Sequence, residues 1–170
     1  MPSEAIDPNG ISWIRVSPKY ITVELIGWAI LTVVELAVLS VPLVLLLAGV
    51  WPDFPAWLAW LLSVGTLVVR IWIGLLIPRQ VRAIGYAERD EDLLIRRGLF
   101  FQRVMVVPYG RMQYVDVGVG PLQRAFGLCS VKLHTASPQT NASIPGVPAA
   151  EGARLREQLS DRGQARLAGL

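Results

Sequence analysis

The chain has 170 residues, 53% of them hydrophobic and only 17% charged, against about 25% charged in an ordinary soluble domain. Its one cysteine, Cys129, excludes an intrachain disulfide and a cysteine-based zinc cluster. Net charge is +3, and from Arg79 onward 13 Lys/Arg stand against 8 Asp/Glu; directly behind a hydrophobic segment, such an excess reads as membrane topology and not as nucleic-acid binding.

Residues 1–24 read as a cytoplasmic tail and interfacial segment, flexible over 1–12, with Trp13 and Tyr20 at the membrane interface. Residues 25–77 read as a transmembrane hairpin holding only three charges, Glu35, Asp53 and Arg70. The first span covers about 25–50, longer than the ~20 residues needed to cross a bilayer, with a kink expected near Pro42 and Ser40. It starts too late and runs too long for a cleaved signal peptide. The second span covers about 55–77. The short connection Trp51-Pro52-Asp53-Phe54 makes the helices antiparallel neighbours and puts Trp51, Phe54, Trp57 and Trp60 near one interface.

Arg15 and Lys19 precede the first span, Arg79 and Arg82 follow the second, and the connecting loop has neither Lys nor Arg. The positive-inside rule therefore places both termini in the cytoplasm. Arg79 and Arg82 are the candidate headgroup contacts. Glu35 and Arg70 fall at similar depths from the cytoplasmic face, roughly 15 and 10 Å by helical rise. The plain expectation is a structural pair that locks the hairpin, because an unpaired charge there is costly. The sharper one is an ion or proton path, or a contact to another membrane subunit, which needs an oligomer.

From about residue 78 the rhythm turns to short strands. Strands are expected at 81–88, 92–98, 100–108, 111–119, 130–136 and 141–146, one helical turn at 121–127, and a helix at 147–159 whose Leu155 and Leu159 face the sheet. Residues 161–170 read as a fraying polar tail. The fold class is a two-helix transmembrane hairpin followed by a mainly β domain over 78–160, a bent antiparallel sheet or partly open barrel closed by the C-terminal helix.

The stretches DLLIRRGLF, VVPYGRMQYVDVGVGPLQRAFGLCSVKLHTAS and SIPGVPAAEGARLREQL resemble the bacterial pleckstrin-homology-like domain of the YdbS type, which typically follows a two-helix membrane hairpin. The resemblance covers about residues 80–160, and with the hairpin most of the chain. It implies a pleckstrin-homology-like (PH-like) fold and no catalytic residues. In pleckstrin-homology domains that bind phosphoinositides, the loop between the first two strands is basic. The loop taken to match here, Glu88-Arg89-Asp90-Glu91-Asp92, carries net −3 and argues against such a ligand.

No glycine-rich phosphate loop follows a strand, and no cofactor is implied. His134, the sole histidine, is expected as a solvated strand residue, and Cys129 as a buried thiol. The sequon at Asn141 is irrelevant in the cytoplasm. Arg103, Arg111 and Gln113, near the Pro108–Gly110 turn, are the candidate partner surface. The functional expectation is a non-enzymatic membrane-anchored binding or assembly module, acting on a protein partner or a second copy. The alternative is an accessory or regulatory subunit of a membrane transport or envelope-stress complex; an enzyme ranks last.

Overall fold

A computed structural model describes residues 11–135 and 142–168. The chain divides into two units, Glu24–Pro78 on one side and Met1–Val23 with Arg79–Leu170 on the other. Residues 1–10 of the expected tail, and Asn141 of the sequon, lie outside the described residues.

The hairpin unit is built of helices. α1 runs Lys19–Leu39 and α2 Val41–Leu47; α3 is Ala56–Trp60 and α4 Thr66–Arg82, joined by a π-helical turn at Leu61–Gly65. Lys19–Leu39 and the continuous helix Ala56–Arg82 are each long and apolar enough to span a bilayer, with mean hydropathy 2.0. Three of their hydroxyls bond back to carbonyls one turn earlier: Thr32 Oγ1 to Trp28 at 2.7 Å, Ser63 Oγ to Ala59 at 3.0 Å, Thr66 Oγ1 to Leu62 at 2.5 Å. That satisfies these three hydroxyl protons in a medium that offers no water.

The expected kink is a break at Ser40, and Pro42 sits in the first turn of α2, where its missing N–H costs nothing. The connection between the helices is longer than four residues, from Ala48 to Pro55, with Trp51 and Phe54 stacked at 6.0 Å. The π turn had no signal in the apolar pattern, because every residue across it suits a helix of either pitch.

Among the described residues, the second unit contains seven strands and the C-terminal helix. β1 is Ile14–Arg15, β2 Gly85–Glu88, β3 Asp92–Arg97 and β4 Arg103–Pro108, forming an antiparallel sheet in the order β1-β2-β3-β4. β5 is Met112–Gly118, α5 Pro121–Ala125, β6 Leu128–Thr135 and β7 Ala142–Pro148, with the sheet order β5-β6-β7. α6 spans Ala149–Ala168. Among the described residues the two sheets are not hydrogen-bonded into one barrel, and a 3-10 turn at Tyr109–Arg111 connects them. The core between the sheets and α6 holds Tyr86, Leu93, Val107, Tyr109, Val131, Leu133, Ile144, Val147, Leu155 and Leu159, all essentially inaccessible. Burial of each large aliphatic contributes about 1.5–3 kcal/mol.

Four sequence expectations need correction. α4 runs through Pro78 to Arg82, so the strand expected from residue 81 starts at Gly85. The apolar alternation of Val81, Ala83 and Gly85 fits a strand equally well, and a proline is tolerated in a membrane-spanning helix because neighbouring groups re-satisfy the freed backbone. Residues 13–24 are not an irregular tail: Ile14 and Arg15 pair with Tyr86 and Gly85, and α1 begins at Lys19. Two residues are too few for any periodicity to show. The expected strand from residue 100 begins at Arg103, since Phe100 and Phe101 lie in the turn. The tail expected from residue 161 continues α6 to Ala168; Arg162 there donates to the Arg89 carbonyl at 2.8 Å and packs over the Tyr109 ring.

Candidate functional site

Within the hairpin, Glu35 on α1 and Arg70 on α4 are in contact. Arg70 Nε donates to Glu35 Oε2 at 2.5 Å, and its Nη2 bonds Oε1. This two-pronged fork is the strongest form of the pair. The Arg70 side chain is 17% exposed and that of Glu35 44%, so the carboxylate is the partner that the hairpin leaves partly uncovered. Val38, Leu61, Gly65, Thr66 and Val69 line the groove beside it. Gly65 closes the π turn, one helical turn before Arg70. Further along α4, a Cβ at Gly74 would collide with the Trp28 indole, so glycine there lets the two helices approach.

In the second unit, a cleft of about 280 Å³ opens between the two sheets, at the end carrying the β3–β4 turn. Ile95, Met105 and Leu133 form its apolar floor, and Arg97, Arg103, Lys132 and His134 line it as well. Arg97 spans it: its Nη2 donates to the Ser143 carbonyl and, at 3.1 Å, to Ser143 Oγ. Burial holds its pKa below the ordinary guanidinium value. His134 is half-buried, with its ring stacked on Tyr114 at 4.3 Å.

Of the sequence candidates, Arg103, Arg111 and Gln113 are all exposed, but they do not converge. Arg103 pairs with Arg97 at one end of β4, whereas the Pro108–Gly110 turn lies at the other end, opposite Asp92. Five residues of strand separate these ends by roughly 16 Å. Gln113 lines a different hollow, between β5 and α6. Arg79 and Arg82 are exposed in the last turn of α4. The acidic loop 88–92 joins β2 to β3; the first two strands of the sheet are joined by the whole hairpin, because β1 precedes it.

Residues 21–163 match the family described as Bacterial PH domain. The chain belongs to the bacterial PH domain family. The match takes in the hairpin as well as β2–β7. Over 160 residues the chain is also 29% identical to the transmembrane protein YdbS of Bacillus subtilis (strain 168), covering 94% of this chain and 91% of that protein. No solved structure matches. As a YdbS-type member of the bacterial PH domain family with two candidate spans, the protein is a membrane protein.

Sequence reasoning missed the polar network that fastens the PH-domain helix to its first sheet. Tyr86 Oη donates to Glu151 Oε1 at 2.9 Å. Arg154 donates to Glu151 Oε2 at 2.9 Å and to Glu88 Oε1 at 2.5 Å. Burial and the Glu151 bond raise the Tyr86 pKa above its ordinary range. The bonds to Glu151 and Glu88 raise that of Arg154, and the Arg154 bond lowers that of Glu151. The i,i+3 spacing of Glu151 and Arg154 was visible, but Tyr86 and Glu88 join from more than sixty residues away.

Proposed function

We propose that the protein is a non-enzymatic, membrane-anchored binding and assembly module of the bacterial cell membrane, with both termini in the cytoplasm. One observation supports this most: β1 lies before the hairpin and β2–β7 after it, yet they build one folded unit. Two flanks that fold together must lie on the same side of the bilayer. Their basic residues, with none in the connecting loop, favour the cytoplasmic side. Arg79 and Arg82 meet anionic headgroups, Glu35 and Arg70 lock the hairpin, and the PH-like unit takes a protein partner or a second copy. Arg103, at the cleft mouth, is the contact on the first sheet; Arg111 and Gln113 serve a separate surface.

Reporter fusions at each terminus test the topology. A green fluorescent protein fused to either end is expected to fluoresce, and an exported phosphatase to stay inactive; active phosphatase at either end overturns the assignment. Purification of the full chain in mild detergent, followed by mass determination and identification of co-purifying proteins, tests assembly. A lone monomer without partners removes the assembly role. The half-exposed Glu35 carboxylate favours a second reading, in which it meets another membrane subunit of a transport or envelope-stress complex. That reading expects Glu35→Leu to abolish co-purification while the fold survives.

A further inference from the structure

We infer that the β3–β4 turn, Gly98–Gln102, is a second lipid contact, and that Phe100 and Phe101 enter the interfacial layer of the bilayer that the hairpin spans. The inference rests on the membrane-spanning reading above. Phe100 is 75% exposed and Phe101 92%. Two adjacent aromatic rings held in water are unfavourable unless a surface covers them. The turn is tight: Gly98 has φ +103°, and a Cβ there would collide with the Phe101 carbonyl, so the backbone itself presents the two rings.

The sheet register says which surface this is. Arg15, Gly85, Arg96 and Val104 form one row across β1, β2, β3 and β4. Arg15 is the last β1 residue before the chain leaves for the hairpin, and Gly85 the first β2 residue after it returns. β3 continues past this row by only one residue, Arg97, before the turn begins. The Phe tip therefore projects from the same end of the sheet as both connections to the membrane spans. Trp13 lies at that end too, with the Arg96 guanidinium 4.8 Å from its ring centre; Arg15, in the row, and Arg103, next to Val104, are both exposed. Aromatic rings beside arginines are the side chains that settle at a lipid interface, the rings among the upper acyl chains and the cations against headgroup phosphates.

The test uses the full chain in vesicles of phosphatidylethanolamine and phosphatidylglycerol, with a nitroxide attached through Phe101→Cys; the native Cys129 stays shielded in the core. Collision with oxygen, which partitions into lipid, is compared with collision with a water-soluble nickel chelate. Asp90→Cys, exposed in the β2–β3 loop at the other end of the sheet, is the aqueous control, and Val68→Cys, exposed on α4, the lipid control. The oxygen-to-nickel ratio at 101 is expected to rise well above that at 90 and approach that at 68. A ratio equal to that at 90 overturns the inference, as does shielding from both reagents, which would mean that protein covers the tip. Aqueous behaviour at 68 overturns the membrane-spanning reading instead. Should Phe101→Cys fail to fold, Phe100→Cys carries the same comparison.

Discussion

The backbone N–H of Ser17 donates to the carbonyl of Gly146 at 2.9 Å, tying the segment before the membrane hairpin to the last strand after it. Three residues on, the Tyr20 ring packs against the α-carbon of Gly146, and Val16 and Tyr20 are buried. The PH-like unit is therefore closed by a piece of chain that the hairpin separates from the rest.

A fragment of residues 79–170 should fold poorly. It lacks β1 and the burial of Val16 and Tyr20, worth about 1.5–3 kcal/mol each. A version carrying residues 11–23 on a flexible linker should regain a cooperative unfolding transition by circular dichroism. Equal stability of the two fragments would show that the N-terminal segment is dispensable.

Gly146→Ala should destabilise by about 1–2 kcal/mol through backbone strain alone, because φ is +68°; the Tyr20 contact adds to it. Gly152→Ala drives a methyl into Cys129 Sγ, where α6 crosses the second sheet, and overpacking of that kind costs about 1–3 kcal/mol. Gly118→Ala meets nothing within 4 Å and should leave the midpoint of thermal unfolding in detergent unchanged.

Glu35→Leu should leave Arg70 uncompensated within the span, at a cost of about 2.5–3.5 kcal/mol on insertion scales. Arg70→Glu should be at least as damaging, since it sets two carboxylates face to face. The exchange Glu35→Arg with Arg70→Glu should recover most of the membrane-inserted, detergent-stable protein. Double-mutant levels no better than the singles would argue against direct pairing in the membrane.

The Tyr86–Glu151–Arg154–Glu88 network predicts an acid-sensitive fold. Glu151 has a folded pKa below its ordinary 4.5, chiefly through the Arg154 bond. Its contribution is complete above that value and fades as pH falls through the lower folded pKa. Denaturant midpoints of the full chain in detergent should therefore decline below pH 4.5, and Glu151→Gln should flatten that limb. Tyr86 has the opposite sign: its raised pKa stabilises the fold below pH 10 and is lost as pH climbs beyond it.

Much of this was legible in the chain. A run from Leu25 to Ile77 with three charges declares a membrane hairpin, because no soluble core needs so long an uncharged stretch. The distribution of arginines around it argues for a side of the membrane. The i,i+4 leucines of α6 marked its buried face correctly, since Leu155 and Leu159 are both in the core. The grouping of Arg103 with Arg111 and Gln113 did not hold, because distance along the chain says nothing about which end of a strand a residue occupies.

Composition and periodicity determined that this protein has two apolar helices followed by a sheet-rich unit, because hydrophobicity and the two-residue repeat are local properties. Tertiary structure alone decided where that unit begins. β1 is two residues long, with no pattern to read, and it exists only because Gly85 and Tyr86, seventy residues later, supply its hydrogen-bond partners. The same holds for the Glu35–Arg70 fork: its residues were visible, but only the antiparallel packing of α1 against α4 sets their charged groups in contact.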